Sequence, residues 1–94
     1  MVTVRRKGVE FKFYRPEAHQ VHVVGDFNGW SKEELPMQRE AKGFWKANVR
    51  LPAGTFRFRY FADGQWYTDY AAFGLEPGPY GPVGVVLVPS ANDA

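Results

Sequence analysis

The sequence predicts an all-β fold, two packed layers built from about seven short antiparallel strands. Apolar and polar residues alternate with period two in segment after segment, and turn-forming Gly, Pro, Asn and Asp separate these segments every 8–12 residues or so. No stretch carries a convincing 3.6-residue repeat. The chain has 94 residues, 45% hydrophobic and 17% aromatic, which suits one domain with a modest core. Large rings also suit a two-layer core, where side chains must reach across the gap between sheets.

Taken in order, Val9-Glu10-Phe11-Lys12-Phe13 alternates and reads as a strand, broken by Arg15-Pro16-Glu17-Ala18. Gln20 to Val24 alternates again, and Gly25-Asp26-Phe27-Asn28-Gly29-Trp30 follows as a loop. Ser31 to Glu34 has the spacing of a capped helical turn stopped at Pro36, and Leu35 to Arg39 reads as a short edge strand. Gly43 to Leu51 is a clear strand, with Trp45, Ala47, Val49 and Leu51 on one face and Phe44, Lys46, Asn48 and Arg50 on the other. Pro52-Ala53-Gly54 turns the chain. Thr55 to Ala62 returns with Phe56, Phe58 and Tyr60 inward and Arg57 and Arg59 outward. Asp63-Gly64 signals a hairpin into Gln65 to Thr68. Gly74 to Pro82 holds three glycines and three prolines and reads as an ordered loop or a cover over a sheet edge. Val83 to Val88 is a last buried strand and Pro89 to Ala94 a frayed tail. The pattern is that of an immunoglobulin-type sandwich occupying residues 1–94, with its core from about 9 to 88 and no internal repeat.

Catalytic signatures are missing. There is no cysteine, so thiol chemistry is excluded. With no apolar leader in Met1 to Lys7 and no apolar run long enough to span a bilayer, a cytoplasmic location away from membranes is expected. His19 and His22 fall on opposite faces of a strand, a poor arrangement for a shared metal, and no metal or cofactor is expected. Glu33 and Glu34 read as a solvated turn and Asp63 as a turn residue, not as the opposed carboxylates of a glycosidase. Gly25 to Trp30 lacks the Gly-Lys-Ser/Thr ending of a phosphate loop. Arg5, Arg6, Lys7, Arg57 and Arg59 could serve a nucleic acid, but a net charge of +2 is small for tracking phosphates, so no nucleic-acid partner is expected.

What remains is an aromatic and polar surface. Trp30 follows a glycine-rich loop, Trp66 follows a hairpin turn, and Arg59 points outward on the strand between. A pyranose offers an apolar C–H face to an indole ring and a rim of hydroxyls to Arg, Asn or Gln. The pattern alone leaves both Trp30 and Trp66 open to a core role as well, whereas Trp45 shares the face of Ala47, Val49 and Leu51 and belongs to the core.

Three blocks sharpen this reading. Gly25-Asp26-Phe27-Asn28-Gly29-Trp30, then Gly43-Phe44-Trp45-Lys46-Ala47-Asn48-Val49-Arg50-Leu51-Pro52-Ala53-Gly54, then Phe58-Arg59-Tyr60-Phe61-Ala62-Asp63-Gly64-Gln65-Trp66 together resemble carbohydrate-binding module family 48. That family includes the glycogen-binding domain of the AMP-activated kinase β subunit and the N-terminal modules of glycogen branching and debranching enzymes. The resemblance runs from about Val9 to Val88. It implies an early-set immunoglobulin-like sandwich, an α-1,4-glucan ligand and no catalysis within the module. It places the sugar contacts on Trp30, Trp66 and Arg59, and Phe27 and Trp45 in the core. Lys46, Asn48 and Gln65 are expected as secondary hydroxyl contacts. The sequence departs from the family just before the last strand, where sugar-binding members carry an Asn and this chain has Tyr80-Gly81-Pro82-Val83-Gly84. Tyr80 is the candidate substitute there, as a stacking ring or hydroxyl.

Two functions from different classes follow. A glucan-binding module requires Trp30 and Trp66 exposed and close, with Arg59 between them. A structural or protein-interaction sandwich requires one Trp buried, or the proline-rich loop laid over the site. The expected partners are an α-glucan, and a glycogen-metabolising enzyme or kinase subunit. With Met1 in place and no linker composition at either end, a small free-standing protein is expected, and a module cut from a longer enzyme would read the same way.

Overall fold

The computed structural model describes residues 1–6 and 8–90, which form two antiparallel sheets. One sheet has the order β1-β2-β5-β4, from strands β1 (Val2–Arg5), β2 (Gly8–Tyr14), β4 (Gln38–Arg39) and β5 (Phe44–Val49). The other has the order β3-β6-β9-β8, from β3 (Val21–Gly25), β6 (Gly54–Ala62), β8 (Gly74–Glu76) and β9 (Val83–Val88). A further strand, β7 (Gln65–Tyr67), also pairs with β6. This is the predicted all-β, immunoglobulin-like sandwich.

Alternation decides the core. Val9 and Phe11 from β2, Trp45 and Ala47 from β5, Val21 and Val23 from β3, Phe58 and Tyr60 from β6 and Val86 from β9 all turn inward and are buried. Rings meet across the gap. Phe11 packs edge-on against Phe58 at 4.9 Å, and Phe13 stacks on Tyr60 at 4.5 Å. The Trp45 indole is core, with its Nε1 donating to the Arg15 carbonyl at 2.8 Å. Buried Tyr60 donates its hydroxyl to Asp69 at 2.8 Å. Burial, reinforced by the Asp69 charge, pushes that phenol well above its ordinary pKa.

Strand β6 organises the site. One edge pairs with β3 from Phe58 to Ala62. The other is shared between β9, which pairs with Gly54 to Phe58, and β7, which pairs with Tyr60 to Ala62. Arg59 therefore falls at the junction where one partner strand ends and the next begins.

The hairpin at Asp63-Gly64 forms as expected. Both residues have positive φ, 48° and 82°, which the tight two-residue turn requires. Three elements differ from the sequence-based expectation, and the proline-rich stretch realises one of its two readings, a cover over a sheet edge. Met1 to Arg6 contributes β1, whose Val4 and Val2 face Val9 and Phe11 in the ladder; its short, Arg-flanked run carries little periodicity. Ser31 to Glu34 forms bends without a helical turn, because the Ser31 hydroxyl accepts the Glu33 N–H at 3.2 Å in a local turn. The expected edge strand from Leu35 to Arg39 divides between the sheets. The Leu35 carbonyl and Met37 N–H bond to β3, and only Gln38–Arg39 joins β5. The proline-rich stretch from Gly74 supplies β8 and covers the outer edge of β9. Of the expected tail, residues 91–94 lie outside the described residues.

Candidate functional site

On the outer side of the five-stranded sheet, Trp30, Arg59, Trp66, Tyr80 and the Pro79, Gly81 and Val83 wall line one open concavity of about 350 Å³. That size lies within the range of small-ligand sites. Each part arrives from a different place in the chain, and local sequence explains each arrival.

Trp30 is delivered by the loop after β3. Asp26–Asn28 makes a single 3₁₀ turn. Asn28 locks it, accepting the Gly25 N–H at 3.1 Å and donating to the Val23 carbonyl at 3.1 Å. Phe27 turns inward against Phe11 at 5.8 Å and Phe56 at 6.2 Å, as expected of a core anchor. Gly25 is required by space, since a Cβ there would lie 2.5 Å from the Arg57 carbonyl oxygen and 2.5 Å from the Phe27 ring. Gly29 and then Trp30 itself adopt left-handed backbone, with φ of 65° and 60°. For tryptophan this costs on the order of 1 kcal/mol. The Trp30 N–H bond to the Gly25 carbonyl at 2.8 Å holds it there, and the residue stands 41% exposed.

Trp66 sits on β7 directly opposite Phe61, with ring centroids 4.9 Å apart. Two cations approach the indole. The Arg59 guanidinium carbon lies 5.5 Å from the ring centroid, and Lys32 Nζ lies 5.5 Å from it and 5.0 Å from Phe61. Both are within cation–π range. The neighbouring guanidinium, Arg57, is committed elsewhere. Its Nε donates to Glu76 at 2.8 Å and its Nη1 lies 3.8 Å from Asp26. The Glu76 hydrogen bond and charge hold Arg57 above its ordinary pKa, and Arg57 holds Glu76 below its own.

The fourth wall comes from the loop before β9. Arg59 Nη1 donates to the Tyr80 carbonyl at 3.1 Å, and the Thr68 hydroxyl donates to the Pro82 carbonyl at 2.7 Å. The loop folds back on itself through the Gly81 N–H to the Gly78 carbonyl at 3.3 Å. Gly81 has φ of 118°, open only to glycine at low strain, and a Cβ on Gly78 would lie 2.6 Å from the Gly81 oxygen. Tyr80 is left 86% exposed. Arg59 Nε is buried with no hydrogen-bond partner.

The structure thus brings together four of the residues expected at the site: Trp30, Trp66, Arg59 and Tyr80. It does not bring the other three. Lys46 and Asn48 belong to β5, in the four-stranded sheet, where Lys46 lies 3.6 Å from Glu10. Both point outward, as their parity predicts, but from the opposite layer. Gln65 precedes Trp66 on β7, so the pleat turns it to the other side, exposed and outside the concavity. Pro79, Val83 and Lys32 join the site without a sequence signal of comparable strength. Only the proline-rich composition hints at the first two, and nothing in the sequence marks Lys32. Val83 leaves its side of the wall apolar.

An open, ring-lined hollow on a rigid sheet face, fed by loops, is the architecture of a ligand-binding β-sandwich module. Residues 2–80 match the family Carbohydrate-binding module 48 (Isoamylase N-terminal domain). Similar curated proteins include the 1,4-alpha-glucan branching enzyme GlgB of Salinibacter ruber, 34% identical over 76 residues, covering 77% of this chain and 12% of that protein. The GlgB of Deinococcus radiodurans is 38% identical over 77 residues, 80% of this chain and 10% of that protein. The GlgB of Lactobacillus acidophilus is 34% identical over 85 residues, 85% of this chain and 13% of that protein. The chain belongs to carbohydrate-binding module family 48, and it spans about a tenth of the length of these relatives.

Proposed function

We propose that this chain is a non-catalytic α-1,4-glucan-binding module, with the sugar stacked on Trp30 and Trp66. The observation that carries the reading is their convergence, with Arg59 beside them, in one open hollow. The proline-rich loop walls the hollow and leaves it open. A stacked glucose would lay its C–H face on an indole, each ring contributing about 1–2 kcal/mol by analogy with base stacking. Arg59 has its Nη1 oriented by the Tyr80 carbonyl and its Nε buried, so its Nη2 is the group preset to meet sugar hydroxyls. Trp30 in left-handed backbone fits the same reading, since strained residues concentrate at binding sites. Tyr80 adds a third ring in place of the family's Asn.

With so few polar contacts, affinity for a short glucan should lie in the micromolar-to-millimolar range, roughly −4 to −8 kcal/mol. Polymeric glucan should hold better through multiple attachment. The similarity to branching enzymes makes an enzyme of that class the natural owner or partner of such a module.

Tryptophan fluorescence during titration with maltoheptaose tests the proposal. A saturable change that disappears in Trp66→Ala is expected. A flat titration to about 10 mM, where even a millimolar site fills, overturns it and leaves the protein-interaction sandwich as the reading.

A further inference from the structure

A cavity larger than the aromatic hollow lies away from the tryptophans. It measures about 790 Å³ and opens at the end of the sandwich where β5 passes into β6 through Leu51, Pro52 and Ala53. Along β6 this end is about 17 Å from Arg59, taking five residues at roughly 3.3 Å each. The floor is the uncovered end of the core. Val9 is buried, while Val4, Leu51 and Val88 are only half-buried.

The rim is cationic. Arg5, Arg6 and Arg50 all line the cavity and all are exposed. Arg5 lies 3.7 Å from Glu10, a carboxylate it shares with Lys46 at 3.6 Å. Among the described residues, neither Arg6 nor Arg50 has an acidic partner. Among the described residues no aromatic ring lines the cavity, so neither a sugar face nor a nucleobase finds a stacking platform there. A bare phosphate would meet the guanidinium groups and leave the aliphatic floor wet. An acidic polypeptide segment with an aliphatic side chain satisfies both parts. Its carboxylates match the planar forks of Arg, and its side chain covers the open end of the core.

We propose that this cleft docks such a segment of a partner protein, with one leucine-like side chain on the Val4, Leu51 and Val88 floor and flanking Asp or Glu on Arg6 and Arg50. The proposal stands independently of the glucan reading, because the two sites share no residue.

The test is an NMR titration of the ¹⁵N-labelled chain with the acetylated and amidated peptide Glu-Asp-Leu-Asp-Glu. Saturable shifts are expected at the amides of Val4, Arg5, Leu51 and Val88, with the Trp30 and Trp66 indoles unmoved. Arg6→Glu with Arg50→Glu should weaken binding about tenfold or more by like-charge repulsion. Arg50→Ala alone should weaken it less, and both variants should keep the dispersion of the folded spectrum. Raising the salt to about 1 M, where screening acts within ~3 Å, should also weaken binding. The proposal is overturned by the absence of saturable shifts up to about 10 mM. It is equally overturned if Gln-Asn-Leu-Asn-Gln binds as well, or if inorganic phosphate or Glu-Asp-Gly-Asp-Glu gives the same shifts at the same concentration.

Discussion

The two hollows of this sandwich are built on opposite chemistries. The hollow on the outer face of the five-stranded sheet is walled by the rings of Trp30, Trp66 and Tyr80, with the guanidinium of Arg59 tethered to a backbone carbonyl. The cleft at the open end of the sandwich has no ring and carries Arg5, Arg6 and Arg50. The first suits a neutral polyol, which stacks and exchanges hydrogen bonds with little dependence on salt. The second suits an anion with an aliphatic part, attracted by charge that salt screens. The larger cavity is the one without aromatic lining among the described residues, so the two hollows differ in chemistry as well as in size.

The strongest way to break the comparison is to remove what both sites share. Phe58 is fully buried and touches Phe11 across the core and Tyr60 along its own strand. Phe58→Ala should cost about 3–5 kcal/mol. Thermal unfolding followed by circular dichroism should show a large fall in midpoint. If glucan and peptide responses then fade together, one scaffold supports both.

Separating the two sites is the next largest effect. Trp66→Ala should weaken maltoheptaose binding roughly tenfold or more, measured by calorimetry, and leave the peptide response unchanged. Loss of both responses in this variant would mean that the sites are coupled.

A smaller gain sharpens the glucan side. Val83→Asn places an amide in the apolar side of the wall. One added hydrogen bond to a sugar hydroxyl is worth about 0.5–1.5 kcal/mol, so calorimetry should show two- to tenfold tighter binding. No gain would show that the ligand does not reach the Val83 wall.

The smallest effect lies outside both sites. Asp63 accepts the backbone N–H groups of His19 at 2.9 Å and Gln20 at 2.9 Å, and these bonds hold its carboxyl below the ordinary range. A carboxylate depressed in the folded state stabilises above its unfolded pKa, about 4, and that contribution is lost as pH falls through the folded value. The stability gap between the parent chain and Asp63→Asn should therefore be widest above about pH 4 and close in more acidic solution. Denaturant titrations along a pH series would show it. Both binding sites should be indifferent to the change near neutral pH.

Much of this molecule is legible in its local sequence pattern. Val9 to Phe13, Phe44 to Val49 and Thr55 to Ala62 alternate with period two, and a pleated strand must then send Phe58 and Tyr60 to one side and Arg59 to the other. Asp63-Gly64 announces its turn locally, by residue type. The loop from Gly25 to Trp30 carries its own instructions, since Asn28 closes it and Phe27 anchors it.

The limits are equally physical. Period two assigns a residue to a face of its strand, but it does not say which of two sheets the strand will join. Lys46, Asn48 and Arg59 all point outward, and only β5 joining β2 while β6 joins β3 puts them on opposite layers. The meeting of Arg59 with Tyr80 depends on β7 and β9 dividing one edge of β6, a pairing between segments far apart in the chain. The same long-range pairing sets Val83 into the aromatic wall and gathers Arg5, Arg6 and Arg50 around the open end of the core. The sequence by itself determined the long strands and the turn residues, because these rest on local periodicity and short-range spacing, and its resemblance across three blocks pointed to the family. Which side chains share a hollow was decided only by the tertiary structure, because strand order and register arise from contacts that local pattern does not encode.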